Sequence, residues 1–300
     1  MHNLTTNFGK FLDICNKFGK RFTNAKGNIS RRGVVPKFSD LEVVALSLTA
    51  EALSIDSECL LFSKLNSEYK SDFPNLISRR QYNDRRKSLF ELTEKIRKGM
   101  AESIDEFEDT YCIDSKPFEV CRLSRAKRSQ VEKTDIAKAP SIGYCASQER
   151  YYFGYKLHIL CGIRGVVHSF DLTKAAVADI HYLQDIKTQV ANCNILGDKG
   201  YLSAEVQLDL FQTANIRLET PMRRNQKNYK PQFYLFRRFR KRVETLFSQL
   251  DDQFMLARNY AKDTAGIFTR ILAKITAVTA LQYMNEVNNR PIGQLKYALR

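Results

Sequence analysis

Three acidic residues lie at positions where folded chains build sites. Asp114 ends a short apolar strand predicted over residues 111–114, Asp198 follows a second apolar strand and has glycines on both sides, and Glu244 borders the apolar stripe of a basic helix. Taken singly, each has an ordinary explanation: a turn former, a loop cap and an i,i+4 partner of Arg240. Together they are oxygen ligands of the kind that suit magnesium or manganese, and carboxylates from separate elements can hold two such ions about 3.5–4 Å apart for phosphoryl transfer.

The remaining reactive residue types do not indicate another chemistry. Four histidines and seven scattered cysteines form no C-x-x-C pair and no Ser–His arrangement, which argues against a zinc site, a disulfide framework and a serine nucleophile. No glycine-rich nucleotide-binding motif is present. We expect His158, in an alternating strand, to be packed rather than to act as a ligand, and we assign no catalytic role to His181.

The charge of the chain points to a polyanionic partner. Its 300 residues include 48 lysines and arginines against 33 aspartates and glutamates, a net charge of +15. The hydrophobic fraction of 43% is enough for a sizeable core. No run of about 18 uncharged apolar residues occurs and charges interrupt the first 20 residues. We therefore expect a cytoplasmic protein without a membrane partner, associated with the nucleoid when bound to DNA.

Basic residues fall into two groups that could contact DNA. A helix predicted from Ser78 onward has a basic first half, as in a recognition helix, although a solvated charged helix is the alternative. Its candidates for reading base sequence are Arg79, Arg80, Arg85 and Arg86. Candidates for backbone contacts near the acidic residues are Lys156, Lys199, Arg223, Arg224, Arg237, Arg238, Arg240 and Lys241. Tyr82 and Tyr201 could stack on unpaired bases or be buried.

The periodicity of the chain changes near residue 105, after an acidic segment. Residues 1–105 show helical spacing, and we interpret them as a helix–turn–helix-like DNA-binding region with a break at residues 73–75. In residues 106–300, three predicted strands precede the first helix and a β-α-β segment follows. Long helices over 232–254 and 267–284 close the chain. This order predicts the α/β class: a mixed sheet with flanking helices, preceded by a helical domain.

Several motifs resemble the DDE transposases of bacterial insertion sequences, and most closely the insertion-sequence 982 family, over nearly the whole chain. The motifs are Phe73-Pro74 with the basic segment 78–87, Ile113-Asp114-Ser115-Lys116-Pro117, Gly143-Tyr144, Tyr152-Phe153-Gly154-Tyr155-Lys156-Leu157-His158, Gly197-Asp198-Lys199-Gly200-Tyr201 and Arg240-Lys241-Arg242-Val243-Glu244. The resemblance implies a ribonuclease-H-like catalytic core with Asp114, Asp198 and Glu244 as ligands of two divalent ions, magnesium or manganese. Arg237 and Asp251 stand where the wider superfamily often has tyrosine and lysine, so the roles of those two positions are not carried over.

The resemblance also implies a reaction. A transposase of this kind would bind the terminal inverted repeats of its element as double-stranded DNA, cleave the DNA ends by metal-dependent hydrolysis and join the 3′-hydroxyl to target DNA, as a homodimer on the DNA. Two alternatives stay open: a metal-dependent nuclease of the same fold that does not join strands, and a DNA-binding protein without catalysis. The acidic triad argues against the second alternative, because carboxylates repel phosphate.

Overall fold

The computed structural model describes residues 3–105, 109–133, 135–222, 225 and 229–300. It divides into two compact units. The helical unit comprises the chain up to Ile104 together with Gln249–Tyr260 and Ala265–Arg300, and the sheet unit comprises Asp105–Ser248 and Ala261–Thr264. The first boundary falls beside the change of periodicity at residue 105. The C-terminal segment, which the sequence places with the sheet, belongs instead to the helical unit.

The helical unit begins with five helices. They are α1 (Leu4–Gly19), α2 (Asp40–Ala52), α3 (Glu58–Glu68), α4 (Arg79–Ser88) and α5 (Phe90–Ile104). Ser39 caps α2 and Ser78 caps α4, each in a capping box with the third residue of its helix. The sequence predicts one continuous helix after Ser78, but the structure has two, because the backbone leaves the helical conformation at Leu89.

The sheet unit is built on six strands. They are β1 (Thr110–Cys121), β2 (Ser141–Cys145), β3 (Arg150–Gly162), β4 (Val167–Lys174), β5 (Asn194–Leu196) and β6 (Arg217–Glu219). The sheet order is β2-β3-β1-β5-β6, and β4 also pairs with β3. Strand β3 is antiparallel to β1, β2 and β4, whereas β5 is parallel to both β1 and β6. The predicted ribonuclease-H-like mixed sheet with flanking helices is confirmed.

Helices cover both faces of this sheet. A 3-10 turn at Asp179–Tyr182 leads into the short α6 (Leu183–Ile186), and α7 (Ala204–Ala214) follows β5. These elements bury Tyr182, Leu183 and Leu210 against Ile113 of β1. Helix α8 (Tyr234–Asp252) lies on the opposite face, because Phe247 contacts Lys116, whose side chain alternates with that of Ile113.

The last helix, α9 (Thr264–Val287), belongs almost entirely to the helical unit. Among the described residues it is the one helix long and apolar enough to cross a membrane, but 83% of its most apolar window is buried inside the protein. Its Lys274 is buried and its ammonium lies 2.6 Å from the Glu51 carboxylate of α2. Helix α9 therefore has the features of a core helix that carries one internal ion pair.

Candidate active site

The register between β1 and β5 brings two aspartates together. Cys112 pairs with Leu196 in the parallel ladder, and Asp114 and Asp198 each follow two residues later. Side chains alternate between the faces of a strand, so Asp114 lies on the face that α8 covers. Asp198, in the loop after β5, lies 3.7 Å from Arg240 of that helix. The sequence predicts that Asp114 ends its strand, and this prediction is wrong. Strand β1 continues to Cys121 because its antiparallel pairing with β3 outlasts its pairing with β5.

Asp114 is the more buried of the two aspartates. Its pKa is raised from the ordinary 3.8 to about 6, chiefly by burial and further by the nearby Asp198 and Asp179 carboxylates. Two groups act in the opposite direction: the backbone N–H of Ser115, which donates to Oδ1 of Asp114 at 2.8 Å, and the Arg240 guanidinium. Burial of the carboxyl group therefore outweighs the stabilisation that this hydrogen bond and this guanidinium give to its charged form.

Asp198 lies in a tight loop at the end of β5. It caps the 3-10 turn Lys199–Tyr201, whose first backbone N–H donates to Oδ1 of Asp198. A Cβ added at Gly197 would lie 3.3 Å from side-chain atoms of Ile113 and Tyr201, so this close approach favours glycine. The Asp198 side chain is 53% exposed, and its Oδ1 lies 3.7 Å from a guanidinium nitrogen of Arg240.

Arg240 orients α8 toward the aspartates. Glu244 follows it by one helical turn, so the two side chains lie on the same face of the helix, about 6 Å apart along its axis. Glu244 itself is exposed, beside the buried Val243. Within the part of the chain that the structure describes, no group of three histidine, cysteine, aspartate or glutamate residues is close enough to hold a metal ion. The structure thus brings Asp114 and Asp198 together, and Glu244 lies apart on the facing helix.

A third carboxylate, which the sequence analysis does not select, supports this pair. Asp179 accepts hydrogen bonds at Oδ1 from the hydroxyl of Ser115 and from the ammonium of Lys156, both at 2.9 Å. Its Oδ2 lies 3.5 Å from the position of a Cβ built on Gly200. Asp179 therefore contacts the residue after Asp114 and adjoins the loop of Asp198. Four residues separate it from β4, so no strand-end signal marks it in the sequence.

Several predicted DNA-binding cations have internal partners. Lys156 is 14% exposed and donates to Asp179 and to the carbonyl of Val177. In α4, Arg85 pairs with the buried Asp40 at 2.6 Å, and Arg86 pairs with Glu58 at 2.8 Å. These three positive charges are paired with carboxylates of their own units, so they contribute little positive charge to the protein surface.

Other predicted cations are exposed. Arg79 lies 4.0 Å from Glu58 and is half exposed. Five of the predicted cations are exposed and have no acidic partner among the described residues: Arg80, Lys199, Arg237, Arg238 and Lys241. Arg223 and Arg224 lie outside the described residues. The accessible positive charge near the aspartates is therefore concentrated on the first half of α8 and on the loop of Asp198.

The two tyrosines considered for base stacking are buried. Tyr82 and Tyr201 are each 1% exposed, so neither ring can reach DNA without unfolding its surroundings. His158 is packed as predicted: its Nε2 lies 2.8 Å from the Thr173 hydroxyl and its ring stacks on Tyr182. Burial lowers the pKa of His158 to about 4, which keeps the ring neutral at physiological pH.

Comparison with known proteins places this arrangement in a family. A solved structure described as "Mos1 transposase paired-end complex with left transposon end" shares 18% identity, covers 82% of this chain and 79% of its own, and has a TM-score of 0.24, a likeness too weak to bear on the fold. No curated protein matches the chain. The family model described as "Transposase DDE domain" matches residues 105–280, which include Asp114, Asp198 and Glu244. Since this match spans more than half of the 300 residues, the chain belongs to the transposase DDE-domain family.

Proposed function

We propose that the protein is the DNA transposase of a bacterial insertion sequence of the 982 family. It binds the element's terminal inverted repeats, cleaves the DNA ends and joins the 3′-hydroxyl to target DNA. The observation that carries the proposal is the approach of Asp114, on β1, and Asp198, in the loop that follows the paired strand β5, with Arg240 of α8 beside them. We further propose that two copies act together on the two ends, in the cytoplasm.

The residues present fit divalent metal ions. The chemistry of the donor set is hard oxygen, as magnesium and manganese prefer, and a bound cation would favour the charged form of Asp114, whose pKa is raised chiefly by burial. Asp114 and Asp198 would hold the ions, with Glu244 as the third ligand after a change of its side-chain position. When bound, such ions activate an attacking oxygen and stabilise the leaving one.

The chain's own side chains have separate tasks in this proposal. Arg240 keeps α8 beside Asp198, and Asp179 holds Ser115 and Lys156 so that the strand carrying Asp114 keeps its position. The exposed Lys199, Arg237 and Lys241 would bind backbone phosphates on either side of the scissile bond. Hydrolysis and strand joining are both in-line displacements at phosphorus, so one set of carboxylates and cations serves both.

The test is an end-cleavage and joining assay. Purified protein is incubated with labelled duplexes taken from both flanks of its coding sequence, a supercoiled target plasmid, and magnesium or manganese. We expect nicked ends and joined products with the wild type and neither with Asp198→Ala. Asp209→Asn is the matched control, because this aspartate of α7 forms a half-buried ion pair with Lys187, outside the site, and its replacement should leave both products unchanged.

The products also separate the alternatives. If either metal gives nicked ends but no joined products, the protein is a nuclease of the same fold and not a transposase. If the protein binds the flanking duplexes tightly but gives neither product, it is a DNA-binding protein without catalytic activity.

A further inference from the structure

An exposed basic segment follows β1 and is not part of the site described above. It consists of Arg122 and the 3-10 turn Leu123–Arg128. Its four cations are exposed, and none of them has a carboxylate partner among the described residues: Arg122, Arg125, Lys127 and Arg128. Four unpaired positive charges within seven residues repel one another, and a bound anion relieves that repulsion.

Three of the four acidic residues within or beside this segment already have polar partners, and the fourth, Glu149, is exposed in the turn between β2 and β3. Glu119 pairs with Arg150, and Asp135 lies 3.1 Å from the ammonium of Lys138. Glu132 accepts hydrogen bonds from the backbone N–H and hydroxyl of Thr264. Over residues 122–150 the sequence has seven basic residues against three acidic ones. The field of the segment is therefore positive, and its partner should be negatively charged.

Two exposed tyrosines lie on the hairpin formed by β2 and β3. Tyr144 and Tyr151 are directly opposite in the ladder, their ring centroids lie 5.0 Å apart, and they are 52% and 61% exposed. Ile142, one pair further along the same face, is 52% exposed. The three exposed side chains lie together on one sheet face, and the aromatic rings offer faces on which bases stack.

The tyrosines and the cations occupy the same end of the sheet. Phe153 of β3 pairs with Ile142 on one side and with Cys121 of β1 on the other. Tyr151 lies two residues from Phe153, about 7 Å along the strand. Arg122 follows Cys121 directly, so the basic segment begins beside the aromatic pair.

We propose that residues 122–128 together with Tyr144 and Tyr151 form a binding site for single-stranded DNA. The cations contact phosphates and the tyrosines stack on unpaired bases. Cys121 is seven residues from Asp114 along β1, about 23 Å, which corresponds to about seven nucleotides. The inference rests on the proposed function for its choice of DNA, because cleavage at an element end is what would release an unpaired strand there.

The test measures DNA binding without catalysis. Fluorescence anisotropy of the full-length protein is recorded in EDTA with a 30-nucleotide single strand and with a 30-base-pair duplex of mixed sequence. For Tyr144→Ala/Tyr151→Ala we expect affinity for the single strand to fall about 5- to 100-fold, with duplex affinity changed less than twofold. Tyr144→Phe/Tyr151→Phe, which keeps both rings, should bind the single strand with wild-type affinity. Phe211→Ala is the matched control, because Phe211 is 48% exposed on α7, which leads into β6 at the opposite edge of the sheet.

The cations are tested through the salt dependence of single-strand binding. Arg125→Gln/Lys127→Gln/Arg128→Gln should reduce the slope of log affinity against log salt by about 2, since each single-strand phosphate contact contributes about 0.7. Arg217→Gln, an exposed cation on β6, should leave the slope unchanged.

Two results would overturn the inference: wild-type affinity of the Tyr→Ala variant for the single strand, or an equal loss for single strand and duplex. The end-cleavage assay is independent of both. If the wild type cleaves and joins ends while the tyrosine variant binds normally, the inference fails and the function stands. If the tyrosine variant loses single-strand binding but no flanking duplex is cleaved, the function fails and the binding site stands.

Discussion

Replacing Asp114 by asparagine should stabilise the metal-free protein. Asparagine keeps the shape of the side chain and the oxygen that accepts from the backbone N–H of Ser115, but it removes the charge. The pKa of Asp114 rises from 3.8 to about 6 on folding. A shift of this size corresponds to about 3 kcal/mol of destabilisation when the carboxylate is ionised, at about 1.4 kcal/mol per pKa unit.

The sign of the effect fixes its pH dependence. The pKa of this acid is raised in the folded state, so the folded protein holds its proton more tightly than the unfolded chain. The destabilisation is absent below pH 3.8, grows as the pH rises toward 6, and is complete above 6. The gain from Asp114→Asn should therefore be about 3 kcal/mol at pH 8 and about half of that at pH 5.

Urea unfolding in EDTA, followed by far-ultraviolet circular dichroism from pH 5 to pH 8, measures this gain. Asp209→Asn serves as the control, because a surface ion pair contributes only about 0–1 kcal/mol. Magnesium should stabilise the wild type more than the variant, since binding to the folded state adds stability. No gain at pH 8, or a gain independent of pH, would refute the account of the charge around Asp114.

Five further variants test the remaining contacts. Asp179→Asn should lower end cleavage while leaving duplex affinity unchanged, and cleavage rates measured against DNA concentration would show the loss in turnover; a loss in affinity instead would contradict a positioning role. Glu51→Gln leaves the Lys274 ammonium buried without its counter-charge, so urea melts should show about 3–5 kcal/mol of destabilisation, largely recovered in Glu51→Gln/Lys274→Met. Arg80→Gln should weaken duplex binding and change the free energy of unfolding by less than about 0.5 kcal/mol. Arg86→Gln, by contrast, should lower the free energy of unfolding. Equal urea melting curves for these two variants would contradict the assignment of Arg86 to the interior.

Local signals explain which elements could be predicted. Ser39 and Ser78 precede helices with the spacing of a capping box, and both act as caps. Asp198 follows a predicted apolar strand, and the structure has that strand as β5. In each case the information lies within a few residues of the feature, where propensity and hydrogen-bonding geometry decide the outcome.

Contacts between distant segments explain most of what the sequence did not reveal. Strand β2 exists through its pairing with β3, and Asp179 acquires its role from Ser115 and Lys156, 64 and 23 residues away in sequence. The apolar pattern of α9 predicts a buried helix but not which unit buries it. Partner choice of this kind depends on the assembled fold.

The arginines of α4 show where a charge pattern misleads. Five basic residues in ten favour a DNA-reading helix, yet Tyr82, Arg86 and Leu89 recur at intervals of four and three, the spacing of one buried helix face. The structure buries that face and pairs Arg86 with Glu58 and Arg85 with Asp40. The net charge of a helix gives the number of its cations, but the periodicity of its apolar residues determines which of those cations are exposed to solvent. The exposed cations of α4 are therefore Arg79 and Arg80, at the first turn of the helix.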